Sequence, residues 1–152
     1  MKKIKQALIS VSDKKNLRSL LTTLSRFKIK IISSGGTYKE IKKLKFNCEE
    51  ISKYTDSPEI LDGRVKTLHP KIYSGILNKR QNKFHQKQMM KNNFKNIDLV
   101  IVNFYPLEET LRKTNNHNKI IENIDIGGPT LLRAAAKNFQ DVIVLVDPAD
   151  YN

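Results

Sequence analysis

Residues 97–102 read Ile-Asp-Leu-Val-Ile-Val, a nearly continuous apolar run about as long as one strand. Such a run has no solvent face, so it reads as a parallel strand buried on both sides near the middle of a sheet. A strand of that kind needs helices above and below it, because only covering layers hide both faces. Residues 142–146, Val-Ile-Val-Leu-Val, read the same way. Two earlier strands are legible at 6–11 and 28–33. Between them residues 15–27 carry Leu17, Leu20, Leu21 and Leu24 at helical spacing, with Ser12 or Asp13 available as the cap. A second helix is expected from about Thr37 to about Leu44, after Ser34-Gly35-Gly36. Alternating strands and helices imply an α/β fold, a single three-layer domain with a parallel sheet. Residues 47–70 and 115–118 read as loops.

Composition narrows the class. A chain of 152 residues suits one domain with a real core, and 39% hydrophobic with 28% charged residues indicates a globular chain. No apolar run approaches the roughly 20 residues that span a bilayer, which argues against a membrane partner. The basic start, Met1-Lys2-Lys3, leads into only a short apolar run before Asp13, unlike a secretory signal. Cys48 is the single cysteine, which leaves no internal disulfide and no CxxC zinc site, and fits a reducing cytoplasm. The net charge of +13 is concentrated between Arg64 and Ile97, a stretch with nine basic residues and no acid. Lys79, Lys83, Lys87, Lys91 and Lys95 form an i, i+4 ladder there. Lysine far outnumbers arginine, so this reads as a solvated face and not as a nucleic-acid surface. Attraction of an anionic small molecule is its secondary effect.

In an open parallel sheet, ligands bind outside the carboxyl ends of the strands. Four polar turns converge on that rim. Ser10-Val11-Ser12-Asp13-Lys14 closes the first strand, and Ser33-Ser34-Gly35-Gly36-Thr37 closes the second. Asn103-Phe104-Tyr105-Pro106 closes the third, and Asp125 leads into Gly127-Gly128-Pro129 and an Ala-rich helix. Pro129 suits the first helical position, and the glycines open the helix start to an anion. Thr130, Arg133 or Ala134, and Lys137 then share one face. Ser34 to Thr37 can hold a phosphate through backbone donors, although an ordinary glycine turn is the plainer reading. In Gly63-Arg64-Val65-Lys66-Thr67-Leu68-His69-Pro70, Arg64 and Lys66 point to the same side of an extended chain, an arrangement that an anion between them would relieve. No metal-ligand cluster is visible.

These segments, in this order, resemble the N-terminal IMP cyclohydrolase half of the bifunctional AICAR transformylase/IMP cyclohydrolase family. The pairing of GRVKTLHP with IDIGGPTLLRAAAKN is specific, and the motifs cover nearly the whole chain. The resemblance implies a methylglyoxal-synthase-like fold over 1–147. It also implies dehydrative ring closure of formyl-AICAR (FAICAR) to IMP, the last step of purine synthesis, with no cofactor and no metal. In the reaction a carboxamide nitrogen attacks a formyl carbon of the same molecule, so holding the reactive conformer supplies much of the gain. Carried over, Lys137 is the proton donor or acceptor, while Lys66, Tyr105 and Asp125 polarise the formyl group and orient the amide. Ser12, Lys14, Ser34, Gly35, Gly36, Thr37, Arg64 and Thr67 hold the phosphate and ribose. Asn103, Phe104, Ile126 and Gly127 lie toward the base.

Two departures stand out. The family commonly has Thr-Gly where this chain has Lys15-Asn16, and Leu-Tyr-Pro-Phe where it has Phe104-Tyr105-Pro106-Leu107. Residues 148–152 are expected to begin the connection to a transformylase half, so folate-dependent formyl transfer is not expected of this chain. Dimerisation in the family draws on that half, which implies a homodimer for the whole protein and leaves a monomer open for this piece. The competing reading is a nucleotide-sensing domain of the same fold, like the regulatory domain of carbamoyl-phosphate synthetases, which binds without turnover. Methylglyoxal synthase itself lacks a counterpart here for its glycine-rich, aspartate-bearing phosphate segment. A basic nucleic-acid module ranks last.

Overall fold

The computed structural model describes residues 3–151; Met1, Lys2 and Asn152, the ends of the expected spans, lie outside the described residues. In chain order the elements are β1 (Gln6–Ser10), α1 (Leu17–Arg26), β2 (Lys30–Ser33), α2 (Gly35–Lys43), β3 (Glu49–Glu50) and α3 (Ile51–Thr55). There follow α4 (Pro70–Leu77), α5 (Lys83–Lys91), β4 (Leu99–Val102), α6 (Leu107–Lys113), α7 (His117–Glu122), α8 (Gly127–Lys137), β5 (Ile143–Leu145) and a 3-10 turn, Pro148–Tyr151. The five strands lie in the order β3-β2-β1-β4-β5, and every pairing is parallel.

The sheet's two faces carry separate cores. Leu8, Ile32, Val100 and Val102 meet Ile72 and Ile76 of α4 and Leu131 and Ala135 of α8. Ala7, Ile9, Ile31, Leu99 and Ile101 meet the leucine stripe of α1 and Ile41 of α2. Side chains alternate across a strand, so β1 serves both cores in turn. The expected three-layer α/β fold is present. Each fully buried Leu or Ile contributes roughly 1.5–3 kcal/mol, which is why the leucine stripe dictates where α1 lies.

Several details differ from the sequence reading. Residues 142–146 do not form a strand hidden on both faces: β5 is an edge strand, with Ile143 half exposed. Residues 47–70, read as a loop, hold β3 and α3, elements too short for periodicity to register, and 115–118 runs into α7. Neither Ser12 nor Asp13 caps α1. Its N-cap is Asn16 at φ 56, a left-handed conformation, while Asp13 Oδ1 accepts from Lys15 N at 2.9 Å. Asparagine is among the few residues other than glycine that enter this region readily. The lysine ladder is broken, because α5 contains only its middle three members. The second helix begins at Gly35, not near Thr37. Pro129 stands third in α8, where its missing N–H is still harmless. Pro148–Tyr151 packs on the domain, with Tyr151 buried in the α1-side core.

Candidate active-site cleft

The carboxyl ends of β1, β2 and β4 open into a cleft of about 490 Å³. Its floor is tied together by backbone-directed side chains. Thr37 Oγ1 accepts from Val11 N (3.1 Å) and donates to Val11 O (2.8 Å), locking the start of α2 to the end of β1. Asn103 Oδ1 accepts from Ser12 N and Asp13 N at 2.6 and 2.9 Å, and its Nδ2 donates to Asp13 O at 2.9 Å. Asn103 therefore joins the turns after β4 and β1, a structural duty beside the base contact expected of it. Lys14 Nζ donates to Ser12 O at 3.2 Å.

Ser34, Gly36 and Thr37 line the same cleft, with the first N–H groups of α2 having no intrahelical partner. Gly36 has open space where a side chain would project, so a ligand can approach the backbone there. Gly35 is not on the lining. Its place is beneath Lys66, whose Nζ lies 3.4 Å from where a Gly35 Cβ would stand. Lys66 has no hydrogen-bond or ion-pair partner among the described residues. Thr67 is buried, and its hydroxyl lies 2.9 Å from the position of a Gly127 Cβ, so only glycine fits at the start of α8.

Arg64 and Lys66 both line the cleft, but the extended arrangement expected of 63–70 is not what places them. The chain turns tightly at Leu61, Asp62 and Gly63 (φ 54, 55 and 83), closed by an antiparallel bridge between Ile60 and Val65. Arg64 then pairs with Glu122, which also holds the guanidinium's pKa above its usual value.

Asp125 orients the opposite wall. Its Oδ1 accepts from Gly128 N at 2.8 Å, anchoring the start of α8, and its Oδ2 faces Tyr105 N at 3.4 Å. A Cβ on Gly128 would lie 2.7 Å from Asp125 Oδ2 and 2.8 Å from Phe104 Cδ1. Phe104 thus packs on the glycine from outside the lining, whereas Tyr105, Ile126 and Gly127 face the cleft.

The cleft therefore assembles Lys66, Tyr105 and Asp125 with Ser12, Lys14, Ser34, Gly36, Thr37, Arg64, Thr67, Asn103, Ile126 and Gly127. It does not include Lys137, which ends α8 at an exposed position. Ten residues along the helix axis separate it from Gly127, roughly 15 Å. Helical periodicity correctly put Thr130 and Lys137 on one strip but said nothing about distance from the rim. Thr130 is itself occupied, accepting from the Tyr73 hydroxyl at 2.7 Å. Sequence reasoning missed Asp62, Ile121, Glu122 and Ile124 in the lining. The last three come from α7 and the turn after it, where no periodic signal marked an element.

Comparison with known proteins identifies the family. Residues 16–130 match the MGS-like domain family. The bifunctional purine biosynthesis protein PurH of Acetivibrio thermocellus is 52% identical over 149 residues, and that of Ruminiclostridium cellulolyticum 53%. Each alignment covers 97% of this chain but only 29% of the relative, at its N-terminal end. The crystal structure of ForH superposes with a TM-score of 0.84 at 35% identity, covering 97% of this chain and 76% of that one. A parallel five-stranded α/β sheet with its polar turns gathered on one rim, and a family match across most of its length, make this chain a member of the MGS-like domain family.

Proposed function

We propose that the chain closes the pyrimidine ring of FAICAR to give IMP and water. Its relatives are purine biosynthesis proteins, and it spans less than a third of their length, so the assignment concerns this domain's share of their chemistry. One observation carries the reading. Lys66, Tyr105 and Asp125 meet in the same cleft as the backbone turns suited to a phosphate, where mere phosphate binding would need only the turns.

The ring closes when the carboxamide nitrogen forms a C–N bond to the formyl carbon. The carboxamide nitrogen gives up one of its two protons and the formamido nitrogen gives up its own, and with these the former formyl oxygen leaves as water. Nothing is oxidised or reduced. The turns after β1 and β2, with Thr67, fix the phosphoribosyl end, so the reacting groups lie toward Lys66, Tyr105 and Asp125. Asp125, already oriented by Gly128 N, accepts a hydrogen bond from the carboxamide and holds the nitrogen against the formyl carbon. Lys66, which has no partner among the described residues, donates to the oxygen as charge develops and supplies a proton as it departs. Tyr105 adds a hydroxyl at the same end.

The resemblance gives proton transfer to Lys137, whereas this geometry favours Lys66. Purified chain is given FAICAR and IMP formation is followed. Lys66→Ala is expected to lower kcat by about 10²–10⁴-fold, while Lys137→Ala keeps at least a tenth of wild-type turnover. Abolished turnover in a folded Lys137→Ala protein, with Lys66→Ala active, would reverse the assignment. Tight IMP binding with no turnover by the wild-type chain would favour a sensing domain.

A further inference from the structure

Arg64 is a cation of the cleft whose charge already has a partner. Its Nη2 donates to Glu122 Oε1, a residue 58 positions away in sequence. The two side chains are 61% and 58% exposed, and both line the cleft. The pair therefore bridges the cleft mouth, from the turn at 61–64 to the C-terminal end of α7.

Neither anchor is clamped by the core. No residue of α7 is buried. The turn that carries Arg64 has two non-glycine residues, Leu61 and Asp62, in left-handed backbone that ordinary side chains disfavour. An exposed ion pair of this kind contributes little in water. A phosphoester is a stronger partner for a guanidinium, because it offers two oxygens in a fork and a larger charge. Glu122 occupies a donor that such a group would use.

We propose that Glu122 is a place-holder for the phosphoester of the substrate. It holds Arg64 over the cleft mouth and yields it when phosphate enters, so the residue sets the affinity of the site by competition. The inference rests on reading the cleft as a phosphoester site and is independent of the ring closure.

The test is calorimetric titration with inorganic phosphate and with IMP at low ionic strength. Glu122→Gln keeps the shape and removes the charge, and is expected to bind both probes about three- to tenfold more tightly. Arg64→Gln is expected to bind both more weakly, and adding Glu122→Gln to it should change affinity by less than about twofold. That dependence on Arg64 separates competition from a general structural effect. Unchanged or weaker binding by Glu122→Gln overturns the proposal, as does an equal gain in the absence of Arg64 or undetectable binding by every variant. FAICAR cyclisation is followed on the same samples. Absent turnover with the phosphate gain intact would remove the reaction and leave the place-holder standing.

Discussion

The two walls of the cleft are built on different principles. On the α2 side the polar groups belong to the core: Ser34 and Thr37 are buried, and Thr37 is bonded to the backbone end of β1. On the opposite side, α7 in the lining and α6 packed beside it bury no residue at all. They are held by local bonds, such as the Glu109–Lys113 pair at 2.9 Å and the Asn116 cap that accepts from Lys119 N at 3.1 Å. A wall fixed by the core can be preorganised for an invariant group such as phosphate. A wall held locally can open to admit the rest of a ligand. The largest expected difference between them is in hydrogen exchange. Amides of α6 and α7 should exchange at least about a thousandfold faster than those of β1 and β4, since local opening there exposes little apolar surface. Equal protection in both would dissolve the contrast.

Thr37→Val strikes the fixed wall. The swap keeps the volume and leaves Val11 N and Val11 O without their side-chain partner in a buried place. The expected cost is about 2–3 kcal/mol, a fall in Tm of roughly 4–12 °C in a thermal melt. A loss below about 1 kcal/mol would mean that water reaches this junction and that the wall is less rigid than its burial suggests.

Alkaline titration sharpens the same point. Burial pushes the Cys48 thiol, packed against the α1-side core, up to about 12 from 9.0. Burial likewise raises the hydroxyls of Tyr54 in α3 and Tyr73 in α4. A folded-state pKa above the unfolded one gives stability that is complete below the unfolded value and lost as pH rises through the folded one. Urea midpoints should therefore hold steady near neutrality and fall between pH 9 and about 12. Cys48→Ala should remove the earliest part of that fall. A midpoint that stays flat through this range would show these groups to be solvated.

How much of this was legible in the sequence follows the same division. The strands of the sheet's centre announced themselves because burial on both faces requires an unbroken apolar run, as at 99–102. The polar turns after β1 and β2 were legible because each follows directly on such a strand. The loose wall gave no such signal. A six-residue helix with no buried face, such as α7, has no apolar stripe to read, so Ile121, Glu122 and Ile124 went unnoticed. Lys137 illustrates a different limit: spacing gives a residue's side of a helix, while its height above the cleft depends on where the helix begins. Arg64 illustrates a third, because a left-handed turn through Leu61 and Asp62 contradicts ordinary preferences and is set by its closure at Ile60 and Val65.

The smallest expected effect is on the loose wall itself. Ile121 is 41% exposed and lines the cleft from the end of α7. Because it supports no core, Ile121→Ala should change stability by no more than about 0.5 kcal/mol. Because it offers exposed apolar surface in the cleft lining, the same substitution should weaken IMP binding by about three- to tenfold and leave inorganic phosphate unaffected. A Tm lowered by several degrees would place Ile121 in the core after all, and the division between the walls would fail. Equal loss for IMP and phosphate would be a different failure. Ile121 would then be acting through its neighbour Glu122 and the Arg64 bridge, and not through an apolar contact with the ring.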